Sequence, residues 1–431
     1  MKKQRERVVK FASKIYKSEL TRTIGIYTFL NFFLRGISFV ITPLFTNYIS
    51  PDEFGNLNVY LNSINFIAPL IHLGIGNSIS VDYFKEHRGY ISQHLSTYLL
   101  FSLGITVILS ALAFVFHAPL TAFFQYGIWI LIAVPMLCFF NLITDILFVL
   151  FRNENSVMKV TIYTILKTIV EIGLSILFII VLYKGGLGRI WSMMISTLLI
   201  AVICLYALVQ KYNLRFYFNF SYVQKEIRFW ISSIVGFLFV LSFTVFDKYI
   251  VKIYSSSHDL GNYSLASQFG FIILTFSSAL SAAFLPNLYR DLAQKVSFHS
   301  IQNKLILIAL GILLVTIGSN VVVFLSYKYL VNSAYSDSWH YYTLSSIAYG
   351  LWALISICYG FLYYYKMKRI ILIFGLNSIL VFLPLQYLAL TYTGIRGMII
   401  SQSIYFVICL VIILRLIYKK MHLEIGIGKD I

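Results

Sequence analysis

Stretches of about 20 mostly apolar residues, the length that carries a helix across bilayer hydrocarbon, recur in this chain from about residue 24 to residue 418 with short polar breaks between them. The first six run over 24–45, 57–83, 96–116, 127–150, 160–183 and 190–210. The second six run over 229–251, 261–285, 304–326, 339–365, 370–391 and 395–418. At 59% hydrophobic and 12% charged residues, the chain lies outside the composition of soluble domains. The prediction is an all-α integral membrane protein, multi-pass, with about twelve transmembrane helices.

Basic residues set its orientation, because Lys and Arg near span ends are retained on the cytoplasmic side. Of the 34, 26 fall on one side of the spans and 6 on the other, with Arg35 and Lys167 inside helices. Both termini are therefore expected in the cytoplasm. Residues 1–23 are basic and amphipathic, without the apolar core of a signal peptide. The net charge of +18 is spread along the inner membrane face, where anionic membrane lipids attract it, so nucleic acid is not the expected partner. Cys138, Cys204, Cys358 and Cys409 stand singly in apolar segments, with no histidine at ligand spacing. No metal, cofactor or phosphate-cradling loop is expected. With no soluble domain large enough to bind a nucleotide, transport driven by its own ATPase is not expected either.

The longest break, 211–228 (KYNLRFYFNFSYVQKEIR), interleaves aromatic rings with Lys211, Arg215, Lys225 and Arg228, a pattern suited to the inner bilayer surface. It divides a first bundle, 24–210, from a second, 229–418, which is followed by a tail, 419–431. A shift of 206 residues lays ISPDEFGN (49–56) on SSSHDLGN (255–262), so that Ser50 meets Ser256, Glu53 meets Asp259 and Gly55-Asn56 meets Gly261-Asn262. A duplicated six-helix unit would place this match where it falls, between the first and second spans of each half. The two copies would be related by a pseudo-two-fold axis along the membrane normal. Ser50-Pro51-Asp52-Glu53 also fits a capping box, with Ser50 accepting from the first turn and Glu53 reaching back. Asp52 is left as a solvated first-turn charge.

An ionisable residue inside a span costs about 2.5–3.5 kcal/mol by insertion scales, so each needs a partner or a watery cavity. Arg35 lies near the midpoint of the first span, where snorkelling is hard. Lys167 and Glu171 lie four apart, on one helix face and within reach of each other. Asp145 and Asp82 stand toward inner ends of their spans, and Asp247-Lys248 at the outer end of the seventh, where Lys248 is able to snorkel outward. His72, Asn31, Asn62, Asn65, Asn77 and Asn141 add polar groups to the early spans, and some must face a polar interior.

The stretches ITPLFTNYISPDEFGNLNVY (41–60), LGIGNSISVDYF (73–84), FDKYIVKIYSSSHDLGNYSLASQF (246–269) and AAFLPNLYRD (282–291) resemble the polysaccharide transporters, or O-antigen flippases, of the multidrug/oligosaccharidyl-lipid/polysaccharide exporter superfamily. The resemblance covers about 22–420. It implies two six-helix bundles around a cleft in the bacterial inner membrane, opening alternately to either side. The implied cargo is an oligosaccharide, an O-antigen or capsule repeat unit, joined through pyrophosphate to a polyprenol, with other glycan-assembly proteins as further partners. Arg35, Lys167 and Lys248 are the candidates for binding the cargo, since Arg offers a bidentate fork and Lys a point charge to phosphate. Glu171, Asp145, Asp247 and Asp82 are the candidates for coupling to a proton or sodium gradient.

Two other classes fit less well. A drug or metabolite antiporter would use the same fold. A membrane glycosyltransferase or glycan polymerase would use Asp52-Glu53 in its first outer loop, but every outer loop here is short, so the chemistry would have no housing. The expected protein is not an enzyme.

Overall fold

The computed structural model describes residues 41–74, 88–154, 156–215, 217–294, 298–365 and 367–426, with Ile37, Ile79 and Tyr83 besides. Among these the regular structure is helical. The first half comprises α1 (Pro51–His72), α2 (Arg88–Val115), the short α3 (His117–Phe124), α4 (Ile128–Asn153), α5 (Val157–Ser175) and α6 (Gly185–Tyr212). The second comprises α7 (Phe220–Thr244), α8 (Phe246–Tyr254), α9 (Ser257–Ala293), α10 (Phe298–Tyr329), α11 (Ser336–Tyr364), α12 (Lys368–Asn377) and α13 (Leu383–Gly426). Helices α5 and α12 each run into a π-helical turn, Ile176–Val181 and Ser378–Phe382, and α13 kinks at Gly394, where φ is 71°.

Eight stretches of the described residues are long and apolar enough to cross a membrane, and one of them, Arg369–Met421, contains the eleventh and twelfth spans on either side of the Gly394 kink. Of the first span, 24–45, only Ile37 and residues 41–45 fall among the described residues. Two span boundaries differ from expectation. The second span starts at Pro51 rather than 57, because Ser50 caps it and Pro51 fits its first turn. The seventh is broken at Val245 (φ −129°, ψ −50°) into α7 and α8.

The 206-residue shift lays α1 on α9, α2 on α10, α4 on α11, and α6 on the part of α13 beyond Gly394. The packing has three cores. One is shared by both bundles and gathers Phe54, Leu57 and Tyr60 of α1 with Leu260, Tyr263 and Phe269 of α9 and Tyr335. At the opposite end each bundle has its own: Ile71, Leu142, Leu147 and Leu208 in the first, Leu288, Ile308, Phe361 and Ile413 in the second. The molecule thus has a joined end and a parted end.

Helix α7 belongs to both bundles. Trp230 lies in the first bundle's core and donates through Nε1 to the Tyr98 hydroxyl at 3.2 Å, whereas Phe243 packs among Tyr349, Trp352 and Phe406 of the second. The linker before it is stitched to α2: Ser92 Oγ donates to the Asn213 carbonyl at 2.7 Å, and the Asn219 amide donates to Thr97 Oγ1 at 3.1 Å. Tyr217, Phe218 and Phe220 point away and stay exposed, as rings at a headgroup surface would.

Candidate functional site

The joined end is a seam between two small residues. A Cβ on Gly55 would lie 2.8 Å from the Gly261 amide nitrogen, and one on Gly261 would overlap the Pro51 carbonyl. These are the two glycines that the repeat superposes, so they meet across the pseudo-dyad because neither carries a side chain. Around them the bundles are tied by polar contacts. Asn47 Nδ2 donates to the Leu330 carbonyl at 3.1 Å, the Asn332 amide to Thr46 Oγ1 at 3.1 Å, and the Tyr335 hydroxyl to the Ile49 carbonyl at 2.7 Å. Gln268 Nε2 donates to Asn58 Oδ1 at 2.6 Å, and the Lys252 ammonium to Asn56 Oδ1. Each neutral bond is worth about 0.5–1.5 kcal/mol net, and the bond from the Lys252 ammonium about 1.5–3 kcal/mol. A row of that size holds the seam and can still part.

The paired carboxylates at the start of α1 divide in function. Ser50 Oγ accepts from the Glu53 amide at 3.3 Å and Ser256 Oγ from the Asp259 amide at 3.0 Å, so the repeated caps form. Glu53 itself does not reach back, as the capping box required. Its Oε1 accepts from the Gly186 amide at 2.7 Å, capping α6, whose own preceding residue Lys184 supplies no side-chain cap. An anion at a helix start satisfies an orphan N–H and meets the positive end of the dipole. Asp52 is exposed. Glu53→Ala is expected to cost about 1–2 kcal/mol, and Asp52→Asn less than about 0.5 kcal/mol, in thermal unfolding of the detergent-solubilised protein. Equal losses would contradict this division.

Within the first bundle, Lys167 and Glu171 do not pair with each other. Arg189, the fifth residue of α6, donates to Glu171 Oε1 at 2.6 Å and to Ser175 Oγ at 2.7 Å, and Ser175 also bonds Ser192 at 2.7 Å. A guanidinium bridging two acceptors outcompetes a lysine placed N-terminal to the acid, the weaker order for a pair four apart. Lys167 turns instead to Asn141 Oδ1 at 2.8 Å. No carboxylate among the described residues lies within ion-pair distance of its ammonium.

One turn along α4 from Asn141, Asp145 Oδ2 lies 3.5 Å from Nδ1 of His72, the last residue of α1. The other ring nitrogen, Nε2, is 3.0 Å from the Cys138 carbonyl, which can only accept, so Nε2 carries a hydrogen. Nδ1 and the carboxylate then attract only if one of them is protonated.

In the second bundle the outward-snorkelling expectation for Lys248 fails. Asp247 and Lys248 are 1% and 3% exposed. The Tyr263 hydroxyl donates to Asp247 Oδ2 at 2.6 Å, the Lys248 amide to Oδ1 at 2.8 Å, and the ammonium lies 3.6 Å from Oδ1. The break at Val245 explains the inward turn, since Lys248 Nζ reaches the Thr244 carbonyl at 3.3 Å and Asp247 occupies the first turn of α8. In this conformation the two charges are spent on each other. Arg35 and Asp82 lie outside the described residues. Arg189, missing from the sequence-based site, and His72, read there only as one of the polar groups of the early spans, come into it from neighbouring helices. Arg189's signal was being one of few basic residues on the sparse side of the spans. The four cysteines are buried and unpaired, and among the described residues no group of His, Cys, Asp and Glu is arranged to hold a metal.

Residues 20–292 match the family described as polysaccharide biosynthesis protein. The succinoglycan biosynthesis transport protein ExoT of Rhizobium meliloti (strain 1021) is 24% identical over 258 residues, 59% of this chain and 50% of its own length; the chain thus aligns with about half the length of that relative. Among solved structures, an inward closed conformation of the lipid II flippase MurJ is similar over 95% of this chain and 90% of that one, with TM-score 0.73 and 14% identity. An inward-facing multidrug resistance MATE transporter of the MOP superfamily matches over 90% and 94%, with TM-score 0.65 and 13% identity. The expected fold, an all-α membrane protein of about twelve spans in two bundles, is the fold of these transporters.

Proposed function

The chain belongs to the polysaccharide biosynthesis protein family, and on that premise we propose that it is a flippase and not an enzyme. It carries a polyprenyl-pyrophosphate-linked oligosaccharide, an O-antigen or capsule repeat unit, from the inner to the outer leaflet of the bacterial cytoplasmic membrane. In this reading both termini are cytoplasmic, on the side where basic residues are retained, and the joined end is the outer gate. Alternating access then consists of parting the Gly55–Gly261 seam while the separate cores at the inner end close together.

The observation that carries this reading is Lys167, an ammonium within a membrane-spanning helix whose hydrogen-bond partner is a neutral amide. Asp145 acts on this ammonium only through space and does not contact it, so a substrate anion would complete its neutralisation. Pyrophosphate is such an anion, and Arg35 in the first span is the second group proposed for it. The His72–Asp145 pair, one turn from Lys167's partner, is proposed as the proton-coupling site. Cargo and proton then compete through their charges for one polar region. Glu171 is neutralised by Arg189 and serves to hold α5 against α6.

Lys167→Ala is expected to lower surface glycan at least about tenfold, the scale of one charge contact to a desolvated anion, with the protein reaching the membrane in normal amount. Lys167→Arg should retain most of it. Full glycan in Lys167→Ala would overturn the site.

A further inference from the structure

The pseudo-symmetry exposes a vacancy in the packing. In the first bundle the gap between α2 and α6, over α4, is covered by the chain's own linker: Ser92 and Thr97 hold Asn213 and Asn219, and Tyr222 stacks on His94 at 3.8 Å and meets Tyr98 edge-on. Leu208 of α6 is in consequence 0% exposed. The second bundle's counterpart is the gap between α10 and α13, over α11. No described residue covers it, and Leu414, which the 206-residue shift places on Leu208, is 41% exposed. The gap is a groove of about 560 Å³, lined by Leu305, Ala309, Ile357, Cys358, Leu410 and Leu414, with Gln302 and Arg415 among its polar residues.

The groove lies in the parted-end half of helices long and apolar enough to cross a membrane, so bilayer hydrocarbon rather than water is its expected filling. Its volume falls in the range of ligand sites, about 300–1,000 Å³. Gln302 is near the start of α10, and Arg415 stands one turn before Tyr418, Lys419 and Lys420 on α13, where headgroups begin. No carboxylate among the described residues pairs with Arg415.

We infer that this groove is a binding site for an anionic phospholipid: one acyl chain lies over Cys358 between α10 and α13, and the phosphate meets Arg415 and Gln302. The lipid does for the second bundle what the linker does for the first, sealing α10 to α13. It is a structural ligand, apart from the cargo path, and stands whether or not the transported molecule is a glycan lipid.

Native mass spectrometry of the purified full chain released from nanodiscs of phosphatidylglycerol and phosphatidylethanolamine tests this. The wild type is expected to retain one phosphatidylglycerol in preference to phosphatidylethanolamine. Arg415→Gln should lower that retention about fivefold, one basic group's share at an anionic surface. Ala309→Trp should fill the groove and abolish it. Arg415→Gln leaves the groove's walls intact, so its result stands even if Ala309→Trp does not fold. Equal retention in the wild type and Arg415→Gln would overturn the proposal. Displacement of phosphatidylglycerol by equimolar undecaprenyl phosphate would overturn it too, making the groove a site for the cargo's tail.

Discussion

Replacing Gly261 with valine is expected to hold the joined end apart and stop transport. The new side chain would overlap the Pro51 carbonyl, a backbone group that cannot rotate aside, and Gly55 faces the Gly261 amide at the same crossing. Overpacking of this kind costs about 1–3 kcal/mol. At the upper end that lowers the closed fraction roughly a hundredfold. The check is a disulfide between Thr46→Cys and Asn332→Cys, whose parent residues are hydrogen-bonded across the seam at 3.1 Å. The native cysteines Cys138, Cys204, Cys358 and Cys409 are buried and do not compete. The crosslink should form in the otherwise native chain and be lost with Gly261→Val. Gly311→Ala on α10, where an added Cβ meets nothing within 4 Å, is the neutral control. A crosslink that survives Gly261→Val would mean that the seam does not depend on the glycine pair.

The second large effect lies at the α7–α8 break. Asp247→Ala would leave the Lys248 ammonium 3% exposed with only the Thr244 carbonyl to answer it, at a cost of about 3–5 kcal/mol. Tyr263→Phe removes a single donor to Asp247 and should cost about 1–2 kcal/mol. Asp247→Leu combined with Lys248→Met removes both charges at similar volume and should recover most of the stability. Thermal unfolding in detergent measures all three. Because coupling is assigned to His72 and Asp145, the double variant is expected to keep transport. A stable double variant without transport would move the coupling group to Asp247.

Apolar stretches gave away the spans because a bilayer demands a fixed length of hydrocarbon-compatible helix, and every span from the second onward meets a helix among the described residues. The short match at 49–56 and 255–262 carried more than expected, since its two glycines touch in space. Helical periodicity places a side chain on a face of its own helix and is silent on what a neighbour brings. Lys167 and Glu171 share a face, yet Arg189 on α6 and Asn141 on α4 claimed them separately. Glu53 was legible as a helix-start acid, and the helix it caps by reaching Gly186 was not. Asp247 and Lys248 read as interfacial because of their position near a span end. Burying them took the break at Val245 and the Tyr263 hydroxyl from α9, neither of which has a pattern in the sequence. Arg35 and Asp82, outside the described residues, remain proposals from sequence.

Transfer of a labelled polyprenyl-pyrophosphate oligosaccharide across liposomes containing the purified chain tests the central claim, with a proton gradient imposed or collapsed. Transfer should occur with the native chain, fall on collapse of the gradient, and be lost in Lys167→Ala; His72→Gln should transfer at a rate that no longer responds to the gradient. No transfer by the native chain, or equal transfer by native and Lys167→Ala protein, would contradict a flippase built on this first-bundle site.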